Sequence, residues 1–221
     1  MFILREPVMP LSPSDVAGFL LEVGAVRLQP LDPFTWASGL KSPIYCDNRQ
    51  LLGFPEVRDQ IIRALVAQSA LLEPTLIAGA ATAGVPWAAM VADRLQLPMA
   101  YVRPTPKNHG MGRQVEGPLA KGHRVVLIED LISTGMSSLK CAEALRAEGA
   151  EVPAVLALFS YGLPVAEAAF KAAGIDLAVL SSFEVLATVA EAKGILDSAG
   201  LSALKAWRSD TVAWSQAHGG A

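Results

Sequence analysis

The sequence offers little for a metal cage or a disulfide scaffold. Cys46 and Cys141 are isolated and match no CxxC spacing, and the three histidines form neither HExxH nor a Cys/His cluster, so a metal site built from protein ligands is not expected. Two unpaired cysteines fit a reduced, cytoplasmic setting. Positive charge is not in excess either: 18 Lys and Arg against 21 Asp and Glu leave a net charge of −3, which argues against a general binder of nucleic acid or anionic membrane. The start, MFILREPVMPLSPS, lacks a basic opening followed by an unbroken apolar core and makes a poor signal peptide. Residues 74–92 carry no charge, but Gly79, Gly84 and Pro86 break them into strand, turn and helix, which is not a membrane span. No internal repeat, low-complexity block, long linker or Gly-x4-Gly-Lys phosphate loop occurs.

What the chain does have is apolar material, 52% of its 221 residues, enough for a single packed domain. Ser14 is placed to cap a helix to about Glu22 with Gly24 as its stop, and residues 25–50 read as short irregular strands. Pro55 opens an amphipathic helix to Ala70, because Val57, Ile61, Ile62, Leu65 and Val66 recur at helical spacing. Strand candidates follow at 75–79, 99–102, 124–129, 152–158 and 177–180. Helices are expected at 85–95, 136–148, 164–173, 184–193 and 199–207, with residues 216–221 frayed. Branched apolar strands without polar alternation are buried on both faces, so the expectation is an α/β fold: a Rossmann-like, largely parallel sheet flanked by helices. A small N-terminal hood (about 1–50) would precede an α/β core (about 55–210) within one domain.

The most informative stretch is VVLIEDLISTGMS at 125–137. A buried strand delivers Glu129 and Asp130 to the sheet rim. Ser133, Thr134 and Ser137 supply hydroxyls, Gly135 lets backbone approach a ligand, and a helix opening at Met136 offers free N–H groups to an anion. Carboxylates beside a phosphate cradle suit a ligand with a phosphate and sugar hydroxyls, a phosphoribosyl group. The bland alternative is two acids capping a surface turn.

Three other segments carry polar chemistry. RPTPKNHGMGRQVEG at 103–117 has no apolar face to dock and brings Arg103, Lys107, His109 and Arg113, as a mobile lid over a polyanion would. FTWASGLKSPIYCDNR at 34–49 concentrates aromatic, hydroxyl and basic groups where a flat aromatic acid could rest, or else packs as a structural excursion. GAATAGVP at 79–86 is either a second phosphate contact or a tight turn. His123 and His218 read as surface residues without partners.

Together these segments resemble the orotate phosphoribosyltransferases, from about Ser12 to Trp214. The 125–137 motif is that of the phosphoribosyltransferase class. The 34–49 segment and the Lys107-x-His-Gly loop narrow it to the orotate enzymes, and FSYGL at 159–163 with AWR at 206–208 resemble a branch found in many bacteria. The resemblance implies the type I phosphoribosyltransferase fold and Mg²⁺-dependent transfer from phosphoribosyl pyrophosphate to orotate. It also implies a homodimer in which the 103–117 loop of one subunit closes over the neighbour's site.

Carried residue by residue, Glu129 and Asp130 match the acids that hold the ribose hydroxyls. Leu131, Ile132, Ser133, Thr134, Gly135, Met136 and Ser137 match the 5′-phosphate loop, and Ser133 matches a contact to orotate. Arg103, Lys107 and His109 match pyrophosphate-side residues, with Lys107 the main catalytic candidate. The pattern breaks at Pro104 and Ala37, where many members have lysine, at Thr82-Ala83, where others have aromatic-Lys, and near Tyr161, where others have arginine. The pyrophosphate contacts and the partner of the orotate carboxylate therefore do not transfer whole, and Lys41, Arg49 and Arg113 are the candidates to compensate. The alternatives are transfer to a different base and a non-catalytic sensor of phosphoribosyl pyrophosphate. The first would be told apart at 34–49 and 159–163, the second by a DNA- or RNA-binding element that this sequence does not display.

Overall fold

The computed structural model describes residues 11–36, 38–105 and 114–221. The chain opens with helix α1 (Pro13–Glu22), whose cap is Ser12 and not the expected Ser14. Pro13 has no N–H to offer and its fixed φ suits the first turn, so the cap falls one residue before it. Ser12 and Asp15 form a reciprocal capping box.

The hood is two small antiparallel pairs, β1 (Val26–Leu28) with β4 (Ile44–Cys46) and β2 (Phe34–Thr35) with β3 (Lys41–Ser42), followed by a 3₁₀ turn over Asn48–Gly53. Helix α2 (Pro55–Ala70) then leads into alternating strands and helices: β5 (Leu76–Ala80), α3 (Gly84–Leu95), β6 (Met99–Val102), β7 (Val115–Glu116), β8 (Arg124–Ile132), α4 (Met136–Ala147), β9 (Glu151–Ser160), α5 (Pro164–Ala173) and β10 (Asp176–Ser182). Helices α6 (Phe183–Ala192), α7 (Ser198–Ser209) and α8 (Thr211–Ala217) complete the described elements.

The main sheet runs β10-β9-β8-β5-β6-β7, parallel except for the antiparallel β6–β7 pair. From β5 the chain passes through α3 to β6 on one side. The strand on the other side, β8, passes through α4 to β9 farther out. The winding direction thus reverses between β5 and β8, where an open α/β sheet leaves its ligand crevice beyond the strand C-termini.

Alternate residues feed two apolar layers. Ile77, Val126, Ile128, Leu156 and Leu158 face a cluster holding Leu20, Ile44, Leu51, Ile61, Trp87 and Trp207, while Leu76, Val125, Leu127 and Val155 face Cys141, Leu145 and Phe170. Because Val26, Ile44 and Leu51 belong to the first cluster, the hood is continuous with the core on that face.

Four further expectations need correction. The 103–117 segment is not loop throughout: Val115 is 4% exposed and pairs with Val102, so its C-terminal arm is docked on the sheet. Strand β8 continues past the acids to Ile132, because β9 runs beside it to Ser160. The last residues are not frayed: Asp210 caps α8, and buried Ser215 accepts the Lys41 N–H at 2.8 Å and donates to the Ala221 carbonyl at 2.9 Å. His218, although exposed, is partnered, stacking on Trp214 with centroids 3.6 Å apart.

Candidate active site

The acid pair lies at the reversal point of the sheet. Glu129 is 6% exposed, its Oε2 accepting from Ser138 Oγ at 2.9 Å and its Oε1 from the Asp130 N–H at 3.1 Å. Burial, and then the Asp130 charge, push the Glu129 carboxyl up to about 8. Burial raises Asp130 as well, against hydrogen bonding to Glu129 and the opposing charge of Arg49. Burial raises both carboxyls, so their charged forms are disfavoured until hydroxyl donors or a cation compensate them. That is the electrostatics of a site for neutral diol donors.

The turn after the acids brings Ser133, half-buried, next to exposed Thr134, Met136 and Ser137. Gly135 has φ +78°, and a Cβ there would lie 2.7 Å from Phe170 Cε2, so only glycine passes this corner without displacing the ring. No side chain caps α4, which leaves its first N–H groups for an anion. The turn between β5 and α3 stands against the same corner. A Cβ on Gly84 would lie 2.4 Å from the Ile128 carbonyl oxygen and 3.3 Å from Glu129 Cα. Gly84 therefore serves close helix–strand packing, and α3, also without a side-chain cap, starts beside the acid pair.

The hood closes the site from the opposite side. Asn48, 1% exposed, donates from Nδ2 to the Asp130 carbonyl at 2.6 Å. Arg49 pairs with Asp47 at 2.6 Å. Trp36 stacks on Tyr161 at 5.9 Å, and Trp207 of α7 meets both edge-on. Arg27 lies over the Phe34 and Tyr45 rings at 5.5 and 5.0 Å. Arg208 donates to the Gly162 carbonyl at 3.1 Å and pairs with Glu184, so the AWR segment buttresses the turn after β9.

The segments at 34–49, 79–86, 125–137 and 159–163 thus converge. Arg103 sits at the stem of its loop, its N–H bonded to the Gln114 carbonyl at 3.0 Å and its guanidinium 3.8 Å from Glu116. Lys107, His109, Arg113 and Ala37 lie outside the described residues. Asn48 entered the sequence reading only as part of the 34–49 segment, and Ser138 not at all, because a single asparagine or serine inside a strand–turn or helix pattern carries no periodic signal of burial. Among the described residues no three His, Cys, Asp or Glu side chains gather as metal ligands. The acid pair is the donor set on hand, and it fits a divalent cation held largely by substrate oxygens and water.

Residues 55–159 match the family model of the phosphoribosyl transferase domain. An orotate phosphoribosyltransferase of Streptococcus pyogenes serotype M3 is 49% identical over 205 residues, covering 92% of this chain and 98% of that protein. Among solved structures, orotate phosphoribosyltransferase from Aeropyrum pernix superposes with a TM-score of 0.70 at 35% identity, covering 82% of this chain and 99% of that one. Leishmania donovani UMP synthase gives 0.74 at 27% identity over 88% of this chain and 42% of its own. With a relative this similar along nearly its whole length and the crevice chemistry described above, the chain belongs to the orotate phosphoribosyltransferase family.

Proposed function

We propose that this protein transfers the phosphoribosyl group from phosphoribosyl pyrophosphate to orotate, giving orotidine 5′-phosphate and pyrophosphate in pyrimidine (UMP) biosynthesis. The observation that carries the reading is buried Glu129 beside half-buried Asp130, between two helix starts without side-chain caps at the reversal point of the sheet. In this reading the two carboxylates accept from the ribose hydroxyls, and residues 131–137 receive the 5′-phosphate with Ser133 reaching orotate. Arg103, Lys107 and His109 answer the charge of the pyrophosphate.

Departure of pyrophosphate leaves positive charge on the ribose ring, so the transition state is oxocarbenium-like. Glu129 and Asp130, ionised once the diol is bound, hold the ring and offset that charge. Orotate presents its own nucleophilic ring nitrogen, so no strong base is required of the chain; its task is to align the reactants and neutralise the leaving group. Lys107 and Arg103 bring fixed positive charge to the departing oxygens, and His109 hydrogen-bonds or protonates them near neutral pH. Mg²⁺, with the acid pair as nearest protein donors, would neutralise the pyrophosphate when bound.

The protein acts as a homodimer in this reading, with the 103–117 loop shared across subunits. Its partners are small molecules, neither nucleic acid nor membrane. The free thiols of Cys46 and Cys141 support a cytoplasmic setting. Loss of orotate absorbance in the presence of Mg²⁺ and phosphoribosyl pyrophosphate tests the assignment. Consumption of a competing base in place of orotate would overturn it.

A further inference from the structure

A primary amide is an expensive group to bury unless every polar atom is used. Asn48 is 1% exposed, and both ends of its amide are engaged. Its Oδ1 accepts from the Cys46 thiol at 3.2 Å, and its Nδ2 donates at 2.6 Å to the carbonyl of Asp130, 82 positions along the chain. The two contacts fix which way the amide points, because the thiol must face the oxygen and the carbonyl must face the nitrogen. Burial, and then the charges of Asp130 and Asp47, push the Cys46 thiol far up, so it stays a protonated donor. One side chain thus joins the 34–49 segment, with its aromatic face, to the backbone of the strand that carries the acid pair.

We propose that Asn48 is a positioning residue for the transfer. Its amide fixes the separation between the hood face that takes the base and the carboxylates that take the ribose diol, and with it the approach of the nucleophilic nitrogen to the anomeric carbon. With almost no accessible surface it has nothing to offer a substrate directly, so it acts through Asp130. The inference rests on the phosphoribosyl transfer proposed above. Without the latch each subsite survives, but their spacing loosens, and a misplacement of about 1 Å is able to cost up to ~10²-fold in rate.

The test compares wild type, Asn48→Leu and Asn48→Asp in steady-state transfer to orotate, beside thermal unfolding of each. Asn48→Leu keeps the branched shape and removes the donor; kcat is expected to fall by roughly 10- to 100-fold, with both KM values little changed. Asn48→Asp faces the carbonyl with a carboxylate at neutral pH and regains a donor when protonated. Its kcat relative to wild type should therefore recover as pH falls, while the Asn48→Leu ratio stays flat. A purely structural role would lower thermal stability, while kcat per folded molecule would match wild type at every pH in both variants. That result, or wild-type kcat in Asn48→Leu, overturns the latch. If Asn48→Leu does not fold, the pH dependence of Asn48→Asp decides alone. If wild type itself fails to consume orotate, the transfer reading falls and the latch with it, whereas full activity in wild type and both variants sinks the latch only.

Discussion

Ser138, in the first turn of α4, donates its hydroxyl to Glu129 Oε2 at 2.9 Å, so the helix whose start is offered to phosphate also holds the inner carboxylate of the acid pair. That carboxyl is pushed from its ordinary 4.5 up to about 8, by burial first and by Asp130 second. A group with a folded pKa above its unfolded one binds its proton more tightly when folded. Its stabilising contribution is complete below about 4.5 and is lost as pH rises through about 8. Thermal unfolding of the ligand-free protein should show stability declining across that window. Glu129→Gln should flatten this part of the slope, and an unchanged slope would mean that Glu129 is ionised in the folded protein throughout.

Ribose hydroxyls donate to carboxylates and so favour the ionised pair. Binding of phosphoribosyl pyrophosphate should therefore release protons, and its affinity should rise as pH approaches 8 from below. Calorimetry in two buffers of different ionisation heat measures the release. Identical heats in both would separate the acid pair from the diol.

Gly135 and Phe170 make the turn before α4, proposed above to receive the 5′-phosphate, a corner with one solution. A methyl at 135 meets Phe170 Cε2 at 2.7 Å and must also adopt φ +78°. Gly135→Ala is expected to cost about 1–3 kcal/mol of stability and to raise KM for phosphoribosyl pyrophosphate more than for orotate. Adding Phe170→Ala relieves the clash but not the dihedral, so the double variant should recover phosphate-side binding only in part. Full recovery would assign the whole effect to the ring.

On the side proposed for the base, Trp36 stacks on Tyr161 with the rings 20° apart, and Trp207 supports both. Aromatic pairs of this kind contribute about 0.5–1.5 kcal/mol beyond their area, so Trp36→Ala should raise KM for orotate up to about tenfold and leave that for phosphoribosyl pyrophosphate nearly unchanged. Equal changes in both would mean that the stack supports the fold and not the base.

The core strands and proline-led helices were legible in the sequence because branched apolar runs end at strong breakers; α2 begins at Pro55 and α5 at Pro164 as the pattern implies. Strand β7 was not, since two residues next to a polar loop become a strand only when Val102 and Tyr101 are there to pair with them. The final helix hid because seven residues are too few to display a helical period, and its order comes from contacts with Lys41 and Gly39, far away in sequence. The acid–hydroxyl–glycine array was readable because strand, turn and helix are consecutive. Asn48 and Ser138 were not, because their value lies in reaching Asp130 and Glu129, and that distance exists only after folding. Preference for orotate over another base came from family resemblance and was not deducible from composition.

Arg103 and Gln114 exchange two hydrogen bonds, at 3.0 and 2.8 Å, and Val115 is buried against the sheet, so the described arms of the segment are held by contacts with each other and with the sheet. Removing the Lys107 charge should thus leave thermal stability unchanged. Its loss is felt where pyrophosphate leaves, and Lys107→Ala is expected to lower kcat by roughly 10²-fold or more, the scale of one preorganised electrostatic contact. If the loop serves the neighbouring subunit, mixing Lys107→Ala with Glu129→Gln protomers creates heterodimers in which one site carries both defects and the other neither. Activity should then rise well above that of either variant alone. Mixtures that form heterodimers yet stay inactive would confine the loop to its own subunit, and wild-type turnover in Lys107→Ala would remove the lid from the mechanism.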